Sequence, residues 1–269
     1  MERTAPTRAD EASLASRVAA AREARPGTGG EASRVEAAGV PGSASQVEAE
    51  VLSGSASRVE AEELSGSASQ VEAALWDDLV TEADAPRLSR FLRGCGVALS
   101  AEFWAAHEVW LLDERRHFEQ VLEVYRGAFG WDAERQDRLD SRRADFGPIA
   151  HLFDEELAVL CLGAYDELVT IRGYRGNLPL YRSLGPAAER TMRAVIADEG
   201  RHFRTFLKLI RARHEADLAR VEGLVRRIRA CEGTPYAATF VLDHDDPVYG
   251  DHLYDEAATL LTRRLRPRA

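Results

Sequence analysis

Asp113-Glu114-Arg115-Arg116-His117-Phe118 and Asp198-Glu199-Gly200-Arg201-His202-Phe203 are the two stretches whose reading decides the fold. Both spell D-E-x-R-H followed by Phe. Of the seven histidines, only His117 and His202 have a Glu three residues before them. Positions i and i+3 share one face of a helix, so each word aims a carboxylate and an imidazole at the same point. Each word also sits within an apolar stripe. The first stripe reads Phe103, His107, Trp110, Glu114, His117, Val121, and the second Met192, Val195, Glu199, His202, Phe206, Leu209. A carboxylate on a core-facing stripe is costly unless it is paired or metal-bound. A single such word reads better as a solvated charged face. Two of them facing each other need compensation, and divalent cations supply it.

Each word has a carboxylate at a matching distance upstream. Glu82 precedes Glu114 by 32 residues, Glu167 precedes Glu199 by 32, and the whole triplet repeats at an offset of 85. This spacing suits an up-and-down helix pair, with half of one helix to the turn and half of the next back again. At about 1.5 Å rise per residue the two mid-helix points come level. Four carboxylates and two imidazoles would then converge at the centre of a bundle. Such a thiolate-free set of mixed carboxylate and imidazole suits iron or manganese and disfavours structural zinc and copper(I).

The predicted helices follow from the stripes. The first covers about 70–94 and stops at Gly94 and Gly96. The second starts near Ser100, a good N-cap, and ends at Gly127 or Gly130. A polar segment, about 131–147, follows and has room for a short helix. The third helix starts near Pro148, with the stripe Leu152, Glu156, Leu160, Gly163, Glu167, Ile171, Tyr174. Residues 173–186 form a connection to the fourth. A charged helical stretch reaches about Cys231, residues 233–250 read as irregular or hairpin-like, and a last short helix covers about 251–264.

Residues 1–70 read differently. All 20 aromatic residues lie at Trp76 or later, so the N-terminal stretch has too little apolar surface to offset its ordering entropy. It repeats: Ala32-Ser33-Arg34-Val35-Glu36 recurs every 12 residues as Ala44-Ser45-Gln46-Val47-Glu48, Ala56-Ser57-Arg58-Val59-Glu60 and Ala68-Ser69-Gln70-Val71-Glu72. One Val per unit is too little core for stacking. The expectation is a disordered arm over 1–70, read either as a tether or as a duplicated extension, and one helical domain over 71–269. A formal charge of −10 argues against nucleic acid and anionic membrane surfaces as partners. Three scattered cysteines give neither a disulfide framework nor a zinc site. With no apolar run of 18 residues and no signal-peptide core, a cytoplasmic protein is the default.

Several other residues bear on the site. Pro86 follows Glu82 by four residues, where a proline clashes with the carbonyl of Glu82. The first helix should therefore kink there, or end and restart with Asp84 as cap, and Asp78 stands one turn away as a substitute ligand. His107 lies two turns from Glu114 and reads as a pocket or core histidine. Glu156 should cap the bundle end or line an entrance. Gly163 offers either room beside the metals or close helix packing. Tyr165 and Tyr174 flank Glu167, where one of them has the place to support a tyrosyl radical, and packing is the simpler reading for both. Asp243-His244-Asp245-Asp246 reads as a solvated loop.

The doubled D-E-x-R-H pattern with its upstream carboxylates resembles the ferritin-like di-iron carboxylate superfamily. There one Glu from each of two helices meets Glu-x-x-His from each of the other two. The pattern is more similar to the soluble desaturases and bacterial multicomponent monooxygenases than to storage ferritins, and it covers about residues 70–212. The resemblance implies an all-α, ferritin-like four-helix bundle with additional C-terminal helices. It implies two iron ions, with manganese or a mixed pair as variants, on Glu82, Glu114, His117, Glu167, Glu199 and His202. Glu114 and Glu199 would bridge or chelate, Glu82 and Glu167 would be more labile, and each metal would take one imidazole. Asp113 would hydrogen-bond His202, and Asp198 would hydrogen-bond His117, because a ligating imidazole needs its other N–H fixed.

The implied activity is that of an O₂-activating oxidase or oxygenase acting on a small molecule. Electrons would come from a separate donor protein, since nothing in the chain reads as a flavin or nicotinamide site, and a homodimer fits as well as a monomer. Two other readings stand beside it: a ferroxidase, iron-handling or peroxide-scavenging protein, and a non-catalytic helical interaction protein. A long arm does not suit a closed storage shell. The Cys₄ iron site usual in rubrerythrin-type scavengers is missing from the sequence.

Overall fold

The computed structural model describes residues 68–233, 239–242, 244 and 250–266. Within them the chain is all-α. Four long helices, α1 (Ala68–Gly94), α2 (Ala101–Phe129), α4 (Glu156–Gly176) and α6 (Pro186–Arg213), pack as a bundle. The shorter helices are α3 (Ala133–Ser141), α5 (Leu178–Ser183), α7 (Val221–Arg229) and α8 (Gly250–Leu265). Two 3₁₀ turns, Gly147–Leu152 and Glu215–Arg220, complete the described elements. No helix among the described residues is long and apolar enough to cross a membrane.

Local signals set most of the boundaries. The Ser100 hydroxyl accepts from the Phe103 N–H at 3.0 Å and caps α2. Gly130, at φ +75°, ends α2 in the left-handed region that costs glycine nothing. Pro86 neither ends nor restarts α1. The helix runs as one element to Gly94 with Pro86 inside, and Asp84 is a buried ion-pair partner of Arg87 and of Arg142 (3.2 Å) rather than a cap. The fourth 12-residue repeat is not arm but the first turns of α1. Its Val71 is buried, and its Glu72 accepts from the Tyr125 hydroxyl at 2.8 Å and from Arg135 at 2.9 Å. The three earlier repeats and the rest of the expected arm lie outside the described residues.

The connection from α2 to α4 decides the topology. The Ser100 N–H, at the start of α2, donates to Glu156 at the start of α4, so the two helices begin at the same end of the bundle. The chain must therefore return the length of α2, about 43 Å at 1.5 Å per residue. It does so along α1. Arg135 pairs with Glu72, the Arg138 guanidinium lies over Trp76 at 4.2 Å, Arg142 reaches Asp84, and Phe146 stacks on Phe91 at 4.6 Å.

This corrects the expected start of the third long helix near Pro148. Pro148 lies in the first 3₁₀ turn, and α4 begins at Glu156. The crossover is accordingly 130–155, long enough to span the bundle although part of it is helical, so α2 keeps its full length to Phe129. The 173–186 connection is also more helical than expected, because α4 continues to Gly176 and α5 follows it.

α4 is buried on nearly all sides, from Leu157 to Tyr174. Its inward stripe faces the bundle. The outer side is covered by apolar residues of α7 (Val221, Leu224, Val225, Ile228) and α8 (Leu253, Ala257, Leu260, Leu261). That is why Ala158-Val159-Leu160-Cys161-Leu162 is a continuous apolar run rather than an alternating one.

Candidate metal centre

The bundle brings all six sequence-selected residues together at mid-height, and none is more than 7% exposed. They form two overlapping groups whose ligand atoms lie within 4.8 Å of one another: Glu82, Glu114, His117 and Glu199, and Glu114, Glu167, Glu199 and His202. Glu114 and Glu199 belong to both groups. Asp78 is not part of either and accepts a hydrogen bond from the Tyr181 hydroxyl.

Both imidazoles turn Nδ1 toward the box. His117 Nδ1 lies 3.1 Å from Glu199 Oε1 and 3.7 Å from Glu82 Oε2. His202 Nδ1 lies 2.8 Å from Glu199 Oε2, 3.2 Å from Glu114 Oε1 and 3.5 Å from Glu167 Oε1. Their Nε2 atoms face outward to the aspartates of the opposite word. His202 Nε2 is 3.2 Å from Asp113 Oδ2, and His117 Nε2 is 3.3 Å from Asp198 Oδ2. Arg116 joins the two words on the outside, 2.7 Å from Asp113 and 2.6 Å from Asp198, and Arg201 adds a second cation on Asp198.

Two of the carboxylates are also held from other helices. The Tyr174 hydroxyl donates to Glu82 Oε1 at 2.6 Å, and the Trp110 indole N–H donates to Glu167 Oε1 at 2.9 Å. Neither role was foreseen. Tyr174 and Trp110 lie on the same stripes as the acids, but a stripe does not tell a packed ring from a donating one. Arg116 and Arg201 could have been found, because they occupy the same place in both words.

The electrostatics are those of a cluster with too much negative charge. Burial, reinforced by the charge of Glu114, holds the Glu82 carboxyl well above the usual range. Burial does the same for Glu167, against the opposing pull of His202. Glu199 is driven the other way: burial would raise it, but His117 and His202 beside it outweigh that. Burial alone would lower both imidazoles, yet the surrounding carboxylates raise them far above neutral pH. Glu82 Oε2, His117 Nδ1 and Glu199 Oε1 are buried and make no hydrogen bond of acceptable geometry. Buried ligand atoms left without partners, in two groups each compact enough to hold an ion, are what a pair of divalent cations would complete.

Beside Glu167 the bundle opens into a cavity of about 430 Å³, counting its mouth. Its wall includes Leu88, Phe103, His107, Trp110, Gly163 and Phe206. Gly163 lines the cavity, and a Cβ there would meet Phe206 at 2.9 Å, the close helix packing that was one of its two readings. Glu156 closes the bundle end, accepting from Ser100 N–H and from Arg213 Nε at 2.8 Å, with His214 Nε2 at 3.2 Å. Tyr165 is a core residue. Of the 243–246 stretch only His244 is described. It lies 3.2 Å from Glu232 and 3.7 Å from Asp166, so it is tied to the domain rather than solvated. Asp243, Asp245 and Asp246 lie outside the described residues.

Comparison of the chain with family models, with curated proteins and with solved structures finds no match.

Proposed function

We propose that the chain is a ferritin-like di-iron protein that uses O₂ to oxidise a small molecule. One observation carries the reading: Glu114 and Glu199 are shared between two buried ligand groups, each of which has its own histidine and its own further glutamate. A pair of shared carboxylates is what holds two cations about 3.5–4 Å apart. Iron bound there would supply the redox chemistry with O₂, a manganese or mixed pair being the variant that this ligand set also accepts.

The chain's own residues do the rest. Asp198 and Asp113 accept from the Nε2–H of His117 and His202. With metal bound, this would fix the tautomer and leave each Nδ1 lone pair to the ion. Tyr174 and Trp110 orient Glu82 and Glu167 by single hydrogen bonds, leaving each one oxygen free to bind or to swing. The largely apolar cavity at Glu167 gives a substrate a place next to the centre. Electrons would come from a separate donor protein.

The test begins with metal. The purified chain, stripped with a chelator and reloaded with ferrous iron, should hold about two irons, and His202→Ala should lose most of that capacity while remaining folded. Mixing the reduced, loaded protein with O₂ should give a transient visible absorption band and, with a suitable substrate, an oxidised product. Accumulation of hundreds of ferric ions per assembly would assign it to iron storage instead. A folded chain that binds no transition metal and tolerates both histidine substitutions would leave a helical interaction protein.

A further inference from the structure

His107 is a polar residue on the cavity wall that the proposed centre does not use. It is 3% exposed, and its Nε2 is buried without a hydrogen-bond partner. The other two titratable wall residues are occupied. Glu167 belongs to the box and accepts from Trp110, while Asp166 accepts from the Leu242 N–H at 3.2 Å. The His107 ring is held in a stack, 5.5 Å from Phe103 at 13° and 5.0 Å from Trp110 at 23°, with Trp104 edge-on at 5.6 Å. It therefore cannot turn away to find a partner without breaking three aromatic contacts. A buried polar atom left unpaired costs roughly 1–3 kcal/mol, so a fixed one beside an apolar cavity is a feature to be completed by whatever enters. The rest of the wall is Leu88, Leu92, Phe153, Val159, Leu162, Phe206 and Val241, which offers a ligand only apolar contact.

We infer that His107 is the anchor and specificity-determining residue of a small-molecule site. The occupant is a compact, largely apolar molecule, of about one ring, that carries a single hydroxyl-type group. The hydroxyl bonds to the His107 imidazole, and the apolar body fills the space toward Gly163 and Phe206. A hydroxyl suits either ring tautomer because it both gives and accepts a hydrogen bond. Burial and the charge of Arg93 bring the imidazole down to about 4, so the anchor is neutral and favours an uncharged ligand over an anion. The anchored end lies two helical turns, about 10 Å, from Glu114 along α2. The part of the ligand presented to the box is thus the part away from the hydroxyl. That last step, which makes the occupant a substrate, rests on the metal centre proposed above. The binding site itself does not.

The test uses phenol and toluene, which have the same number of heavy atoms and differ in one hydroxyl. Binding of each to the full chain is measured by calorimetry and ligand-observed NMR, with metal loaded and again with metal removed. Phenol should bind about tenfold more tightly than toluene in both states, the value of one hydrogen bond of about 1.4 kcal/mol. His107→Phe should abolish that preference, weakening phenol about tenfold while toluene binds as before. Equal affinity of the wild-type chain for the two probes overturns the inference whether or not the variant folds. So does an undiminished phenol preference in His107→Phe, or no binding of either probe. Metal content is counted on the same samples. A chain that holds two irons but does not distinguish the probes refutes the anchor alone, and one that distinguishes them but takes up no metal refutes the centre alone.

Discussion

At the residue scale, Asp198 and His107 carry the sharpest expectations. Asp198 belongs to neither ligand group, yet its Oδ2 fixes the outward nitrogen of the His117 ring. Asp198→Ala should therefore lower metal affinity about 10–100-fold, measured by competition with a chromophoric chelator, while the helix content stays unchanged. His107 gives a pH dependence. Its folded-state pKa is depressed to about 4, first by burial and then by Arg93, with Glu114 opposing. The unfolded chain takes up the proton near pH 6.5, so the stability that His107 contributes is present above pH 6.5 and is lost as pH falls toward 4. The loss is about 3 kcal/mol by the usual conversion of 1.36 kcal/mol per pKa unit. Urea denaturation from pH 7 to 4.5 should be steeper in pH for the wild-type chain than for His107→Phe, and parallel curves would remove the residue from the balance.

At the element scale, the contact between α4 and α6 turns on Gly163. A Cβ there would approach three atoms of the Phe206 ring to 2.9–3.2 Å, so one of the two helices must shift or the ring must turn into the cavity. Gly163→Ala should destabilise by about 1–3 kcal/mol, and Gly163→Ala with Phe206→Leu should recover much of that. The end of the bundle depends on Glu156, which joins the starts of α2 and α4 to the end of α6. Glu156→Gln keeps the shape and removes the charge. It should cost about 1–2 kcal/mol, a fall in Tm of several degrees for a domain of this size.

Much of this was legible in the sequence, because helix caps and apolar periods are local. Ser100, Gly130 and the two D-E-x-R-H words needed no tertiary information. The start of α4 was misjudged because it depends on what lies alongside: a crossover must reach the far end of the bundle before the next helix can begin.

At the scale of the whole molecule, α7 and α8 are part of the core rather than an appendage, since they cover the outer face of α4. Deletion of residues 250–269 would uncover apolar surface on the outer side of that helix, the element that carries Glu167. The truncated chain should lose cooperative unfolding and aggregate, as checked by calorimetry and light scattering. Full retention of Tm would show that α4 needs only the four-helix bundle.

The sequence by itself determined which residues meet at mid-height. The rise of a helix is fixed per residue, so a 32-residue interval repeated at an offset of 85 already places Glu82, Glu114, His117, Glu167, Glu199 and His202 at one level. Rotation about each axis and the choice of neighbour are not local quantities, and these only the tertiary structure decided. It turned Tyr174 onto Glu82 and Trp110 onto Glu167, joined Asp113 to Asp198 through Arg116, and left His107 alone on the wall of a cavity that no single helix forms.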